Sequence, residues 1–226
     1  MTALEANVAG APTVSRIAAA IRVAVGVALA GVLVGALWAW LAPAIHGVIA
    51  LTKSGNRVTA YLGNESDNFF LGEFLLVGML TALTVVAAVL VWQWRPHRGP
   101  VLLAALTLGA AGAAGVAAGI GAVLVRWRYG VVDIAAAPVT PEHRIHYVTE
   151  APAVFFGHGV LQIAATILLP AAVAALVYTL AALSTPRDDL GAWPPVEYAG
   201  VYPPIPVAVS AAGVGIDPPA APGTAS

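Results

Sequence analysis

The sequence predicts an all-α membrane protein: a four-transmembrane-helix bundle with two long loops on one side and a disordered Pro-rich C-terminal tail. Three observations carry that expectation. Sixty per cent of the 226 residues are hydrophobic and only 9% are charged, against about 25% charged in soluble domains. Four apolar stretches, residues 17–41, 69–94, 101–125 and 154–183, are each long enough to cross a bilayer as a helix. Two long connections, residues 42–68 and 126–153, bracket a short one at residues 95–99, so both long loops fall on one side and both termini on the other. The transmembrane domain spans residues 16–185. The formal net charge of −1 gives no basic excess to attract nucleic acid. The absence of cysteine excludes disulfides, thiolate metal sites and cysteine nucleophiles.

Residues 1–15 are small and polar and read as a disordered lead-in. The first span is interrupted only by Arg22, which can snorkel back toward the headgroups. Gly31 and Gly35 form a GxxxG pair suited to close helix contact, and Trp38 and Trp40 mark the far membrane interface. Ala42-Pro43-Ala44 offers a signal-peptidase pattern, but the apolar region exceeds the 7–15 residues of a cleavable signal, so the helix is expected to be retained. In the first long loop, residues 47–52 and 57–62 flank Lys53-Ser54-Gly55-Asn56 and predict a β-hairpin with a four-residue turn.

The second span carries Glu73 about one turn from its start and Trp92 and Trp94 at its end. The short Arg95–Gly99 connection predicts that the second and third helices are antiparallel neighbours. The third span is uncharged and holds five glycines. At about 100° per residue Gly109, Gly112, Gly115 and Gly119 share a face, a surface built for close approach by another backbone, in the bundle or in a partner. An Arg126-Trp127-Arg128-Tyr129 collar follows, and residues 129–134 could add a strand. The fourth span contains Pro170, which leaves the Thr166 carbonyl without its donor and predicts a kink. Residues 186–226 form the tail, rich in proline around Trp193, Tyr198 and Tyr202, a composition that favours extended polyproline segments.

Ionisable groups within spans are costly and often functional, which singles out Glu73. Its shallow position suggests an interface carboxylate paired with a loop arginine. His158, Gln162 and Thr166 are spaced four apart and would share one helix face, as interhelical hydrogen-bonding groups or as a polar stripe. Glu142-His143-Arg144-Ile145-His146 lacks the H-E-x-x-H order of a zinc protease, and no nucleophile elbow, Walker loop or dinucleotide fingerprint appears. No catalytic residue, cofactor or metal site is therefore expected.

Four Ala/Val/Gly-rich spans, two loops of similar length on one side and a Pro-rich tail resemble a family of actinobacterial four-helix membrane proteins. That family is of largely unknown function and includes lipid uptake coordinator B, an accessory subunit of an Mce lipid importer. The likeness covers residues 15–185, is one of architecture without a sharp motif, and transfers no functional residue. The hairpin-bearing loops are also similar in layout to those of claudin-like proteins. The resemblance implies a non-catalytic accessory or assembly subunit whose helices pack against transporter permease subunits, among membrane lipids. A small oligomeric transporter using His158, Gln162 and Thr166 is the alternative. Arginines at residues 16, 22, 95 and 98 flank the early helices, which by the positive-inside rule favours a plasma-membrane protein with cytoplasmic termini.

Overall fold

Each helix boundary is set by a local device. In a computed structural model, which describes residues 14–186 and residue 190, Ser15 Oγ accepts the N–H of Ala18 at 3.2 Å and caps α1 (Arg16–Leu41). The cap satisfies one of the donors that a helix start leaves open. α1 stops at Ala42, held extended (φ −63°, ψ 130°) because Pro43 disfavours a helical residue before it. α2 (Asp67–Gln93) has Asp67 in its first turn, where a carboxylate complements the helix dipole. A 3-10 turn, Arg95–His97, leads to α3 (Pro100–Tyr129), which opens on a proline at its first position, where the missing N–H is no loss. α4 is Val160–Leu183. All four helices are long and apolar enough to cross a membrane, by length and composition. Apart from Val14, Ser15, Pro186 and Leu190, the expected lead-in and tail lie outside the described residues.

Two expected boundaries are corrected. α3 continues past residue 125 through the arginine collar, because no breaker occurs before Gly130. That glycine has φ 76°, and its N–H reaches the Arg126 carbonyl at 2.8 Å, a left-handed glycine stop. Arg126 and Arg128 lie in the last turn, where cations complement the dipole. α4 starts six residues later than residue 154. Gly157, with φ 149°, adopts a conformation that L side chains rarely take, and helix begins only beyond Gly159.

Helix order around the bundle follows from which surfaces are smallest. Gly109 lies against Ala24, Gly31 against Ala113, Gly35 against Ala117 and Gly121 against Trp38. These positions rise together, so α1 and α3 run parallel. Trp38 near the end of α1 meets Gly72 near the start of α2, and Tyr178 late in α4 meets Gly99 at the start of α3, which makes α2 and α4 antiparallel to that pair. The neighbours in order are α1, α3, α4 and α2, and the α1–α3 contact is the most extensive. The expectation that α2 and α3 are close neighbours is corrected: their contact is slight. A short turn fixes direction but not adjacency, and the small-residue seam lets α1 come closest to α3.

The long loops build a small sheet. β1 (Ile45–Leu51) and β2 (Arg57–Tyr61) pair as an antiparallel hairpin, its turn closed by Thr52 N–H to the Asn56 carbonyl at 2.8 Å. A strand at 129–134 is not formed, since Tyr129 ends α3. The third strand is β3 (Ile145–Glu150), antiparallel to the other edge of β1, and the order is β2-β1-β3. Ile45 and Ile49 of the central strand are fully buried, Ile49 over Ala137 and Val139.

Candidate functional site

α3 presents two small-residue faces, back to back. The inner face packs on α1. A Cβ at Gly109 would meet the Ala24 Cα and carbonyl oxygen at 2.9 Å, and one at Gly31 would collide with the Ala113 backbone. A Cβ at Gly35 would stand 2.5 Å from the Ala117 carbonyl oxygen. Gly112 sits at the margin, where a Cβ would meet Ala28 Cβ at 3.3 Å. Gly115 and Gly119 are exposed, and an added Cβ would find nothing within 4 Å. Two residues along a helix is about 200° of rotation, so Gly115 and Gly119 point nearly away from Ala113 and Ala117. Of the glycines expected to pack, four touch the α1 seam and these two form a bare GxxxG pair outside it.

Trp38 is corrected from an interface anchor to a core residue. It is fully buried, its indole N–H donates to the Gly72 carbonyl at 2.6 Å, and its ring lies over Gly121. Trp40 and Trp127 are 72% and 86% exposed, as interface tryptophans are. They border an open groove of about 350 Å³ with Ala36, Ala39, Leu124 and Arg128. Next to Gly72, Glu73 is only 4% exposed, and its Oε2 has no hydrogen-bond partner among the described residues. The expected pairing with a loop arginine is absent there: the one salt bridge among the described residues joins His46 Nδ1 and Glu65 Oε2 at 3.3 Å.

The polar residues of α4 are engaged locally. His158 lies before the helix and is exposed. Gln162 is exposed in the first turn, and its Oε1 accepts the Gly159 N–H at 2.9 Å. Gln162 fills the space beside Gly157 that a side chain there would need. Thr166 is buried and donates to the Gln162 carbonyl at 3.1 Å. The one-face stripe is corrected, because it required a helix running through residue 158. Pro170 lies inside α4 and is fully buried.

At the sheet, the His46 backbone N–H donates to Glu65 Oε2 at 3.2 Å. That bond, chiefly, lowers the carboxyl pKa of Glu65. Burial first and the Glu150 carboxylate second raise the pKa of the Tyr61 hydroxyl, which stands 3.4 Å from Glu150. His146 belongs to β3, and no three His, Asp or Glu side chains come together among the described residues.

At the opposite end, Arg98 stacks on Trp92 at 4.2 Å and donates from Nε to the Trp92 carbonyl at 2.8 Å. Tyr178 packs edge-on against Trp92 and accepts the Gly99 N–H at 3.1 Å. His97 beside them is buried. Sequence reasoning missed the roles of His97, Gly121, Ala113 and Ala117. The Ala113/Ala117 spacing is itself a small-xxx-small pattern and was the available signal for two of them.

Residues 27–192 match the family described as "Protein of unknown function (DUF2567)". Uncharacterized proteins of Mycobacterium tuberculosis and Mycobacterium bovis are each 53% identical over 173 residues, covering 76% of this chain and 90% of theirs. An uncharacterized protein of Mycobacterium leprae is 50% identical over 171 residues, 76% of this chain and 86% of its own. No solved structure matches the chain.

Proposed function

The chain belongs to the DUF2567 family of proteins of unknown function, and from that premise we propose that it is a non-catalytic accessory or assembly subunit of a larger membrane complex. The observation that carries this reading is the second face of α3. The seam with α1 is already complete through Gly31, Gly35, Gly109 and Gly121, yet Gly115 and Gly119 keep a further smooth surface uncovered. A bare GxxxG pair suits close approach by a transmembrane helix of another integral membrane protein. The sheet supports the same reading: β2 is exposed along its whole length, and Ile145 and Tyr147 of the other edge strand are 59% and 71% exposed. The architectural resemblance to the Mce-associated family favours a permease of a lipid importer as the partner. In this reading the chain is a multi-pass plasma-membrane protein with cytoplasmic termini.

Purification of the full chain from its native membrane in mild detergent tests the proposal. The wild type is expected to co-elute with integral membrane partners, and Gly115→Leu/Gly119→Leu to elute folded but alone. Recovery of the wild type as a lone monomer or homo-oligomer would overturn the reading. A reporter fused after residue 183 that is active only outside the cytoplasm would overturn the orientation.

A further inference from the structure

The end of the bundle away from the sheet carries positive charge with no described counter-charge. Arg16 opens α1, and Arg95 and Arg98 flank the short turn, whereas the described acids Glu65, Asp67, Glu73, Asp133, Glu142 and Glu150 all lie toward the sheet end. Between Arg16 and Arg98 is a cavity of about 80 Å³, lined also by His97 and by the opening residues of α3. That volume holds several waters or a single phosphate-sized group.

Two independent features of the cavity point to an anion. α3 is 30 residues long and no side chain caps its start, so the amino end of its dipole opens here. His97, 6% exposed, donates from Nε2 to the Val14 carbonyl at 2.9 Å, while its Nδ1 is buried with no hydrogen-bond partner among the described residues. A carbonyl only accepts, so Nε2 carries a proton and Nδ1 is the nitrogen left for a ligand. Desolvation, and then the neighbouring Arg95, lower the pKa of the Arg98 guanidinium, as expected for a cation lacking a counter-ion.

We propose that this cavity binds the phosphate group of an anionic phospholipid at the membrane surface, with Arg16, Arg98, His97 and the start of α3 as its walls. A lipid fits better than free phosphate because the cavity lies at the first turn of two spans, where hydrocarbon gives way to headgroups. Val101, half exposed on its rim, offers apolar surface to the attached chains. Arg98 is already held by Trp92 and by the Leu190 carbonyl, 2.7 Å from Nη1. Arg16 is exposed and is the group to perturb.

The test is titration of the purified full chain, in neutral detergent, with dihexanoyl phosphatidylglycerol, dihexanoyl phosphatidylcholine or inorganic phosphate, read by native mass spectrometry. Saturable binding of the anionic lipid is expected, weakened about fivefold by Arg16→Gln, the effect of one basic residue at an anionic surface. Arg16→Lys should retain it, and Lys53→Gln at the sheet end should leave it unchanged. Equal binding of the two lipids, or indifference to Arg16→Gln, would overturn the site. Inorganic phosphate binding as tightly as the lipid would overturn the lipid as occupant. So would a chain that takes up the anionic lipid only after Asp188→Asn and Asp189→Asn, because the chain's own acidic pair would then be the competitor.

Discussion

Replacing Gly35 by alanine is the most direct test of how the bundle is held together. The new Cβ would stand 2.5 Å from the Ala117 carbonyl oxygen and 3.0 Å from its Cα. Both are backbone atoms of a helix and have no rotamer through which to retreat. The shortest approach is ~0.9 Å short of the 3.4 Å at which ordinary contact begins, and a gap of about that size forfeits a quarter to a half of the dispersion energy of the atoms lining it. The loss spreads along the seam, since Ala24–Gly109 and Gly31–Ala113 belong to the same pair of rigid helices. Overpacking of this kind costs about 1–3 kcal/mol. Reversible unfolding in mixed neutral and anionic detergent micelles, followed by tryptophan fluorescence, measures it, because Trp38 sits at the end of the same seam against Gly121. Gly115→Ala is the matched control, with nothing within 4 Å, and should stay within about 0.5 kcal/mol of the wild type. If Gly35→Ala unfolds at the same detergent fraction as Gly115→Ala, the seam does not hold the bundle and the reasoning is wrong.

Three further outcomes follow from the polar groups. Gln162→Ala removes the acceptor of the Gly159 N–H and should fray the start of α4 at a cost of about 0.5–1 kcal/mol. His158→Ala should leave hydrogen exchange there unchanged. Glu65 has its folded pKa lowered, chiefly by the His46 backbone N–H, so the stability it contributes is present above the unfolded carboxyl value of about 4.3 and is lost as pH falls through the folded value. The His46 amide resonance should shift in that acid window in the wild type and not in Glu65→Gln. Glu73→Gln keeps the shape of a buried side chain whose Oε2 has no described partner and should equal or exceed the wild type in detergent stability, since it removes the cost of a buried charge. A marked loss would reveal a partner specific to the carboxylate.

The sequence by itself determined the four spans, because hydrocarbon demands an uninterrupted apolar stretch long enough for a self-satisfied helix. It also determined the hairpin, because Ser54-Gly55-Asn56 is turn chemistry read locally. Where boundaries were misread, the cue was a glycine: Gly130 ends α3 late, and Gly157 and Gly159 delay α4. Only the tertiary structure decided which face of α3 meets α1. In a lipid-facing bundle both the buried and the exposed faces are apolar, so hydropathy does not separate them, and Ala113/Ala117 and Gly115/Gly119 are equally small. The direction of Trp38 and the pairing of β3 with β1 were undecidable for a related reason. Each depends on a partner far along the chain, Gly72 and Gly121 for the indole and residues 45–50 for the strand, and local sequence pattern carries no record of such partners.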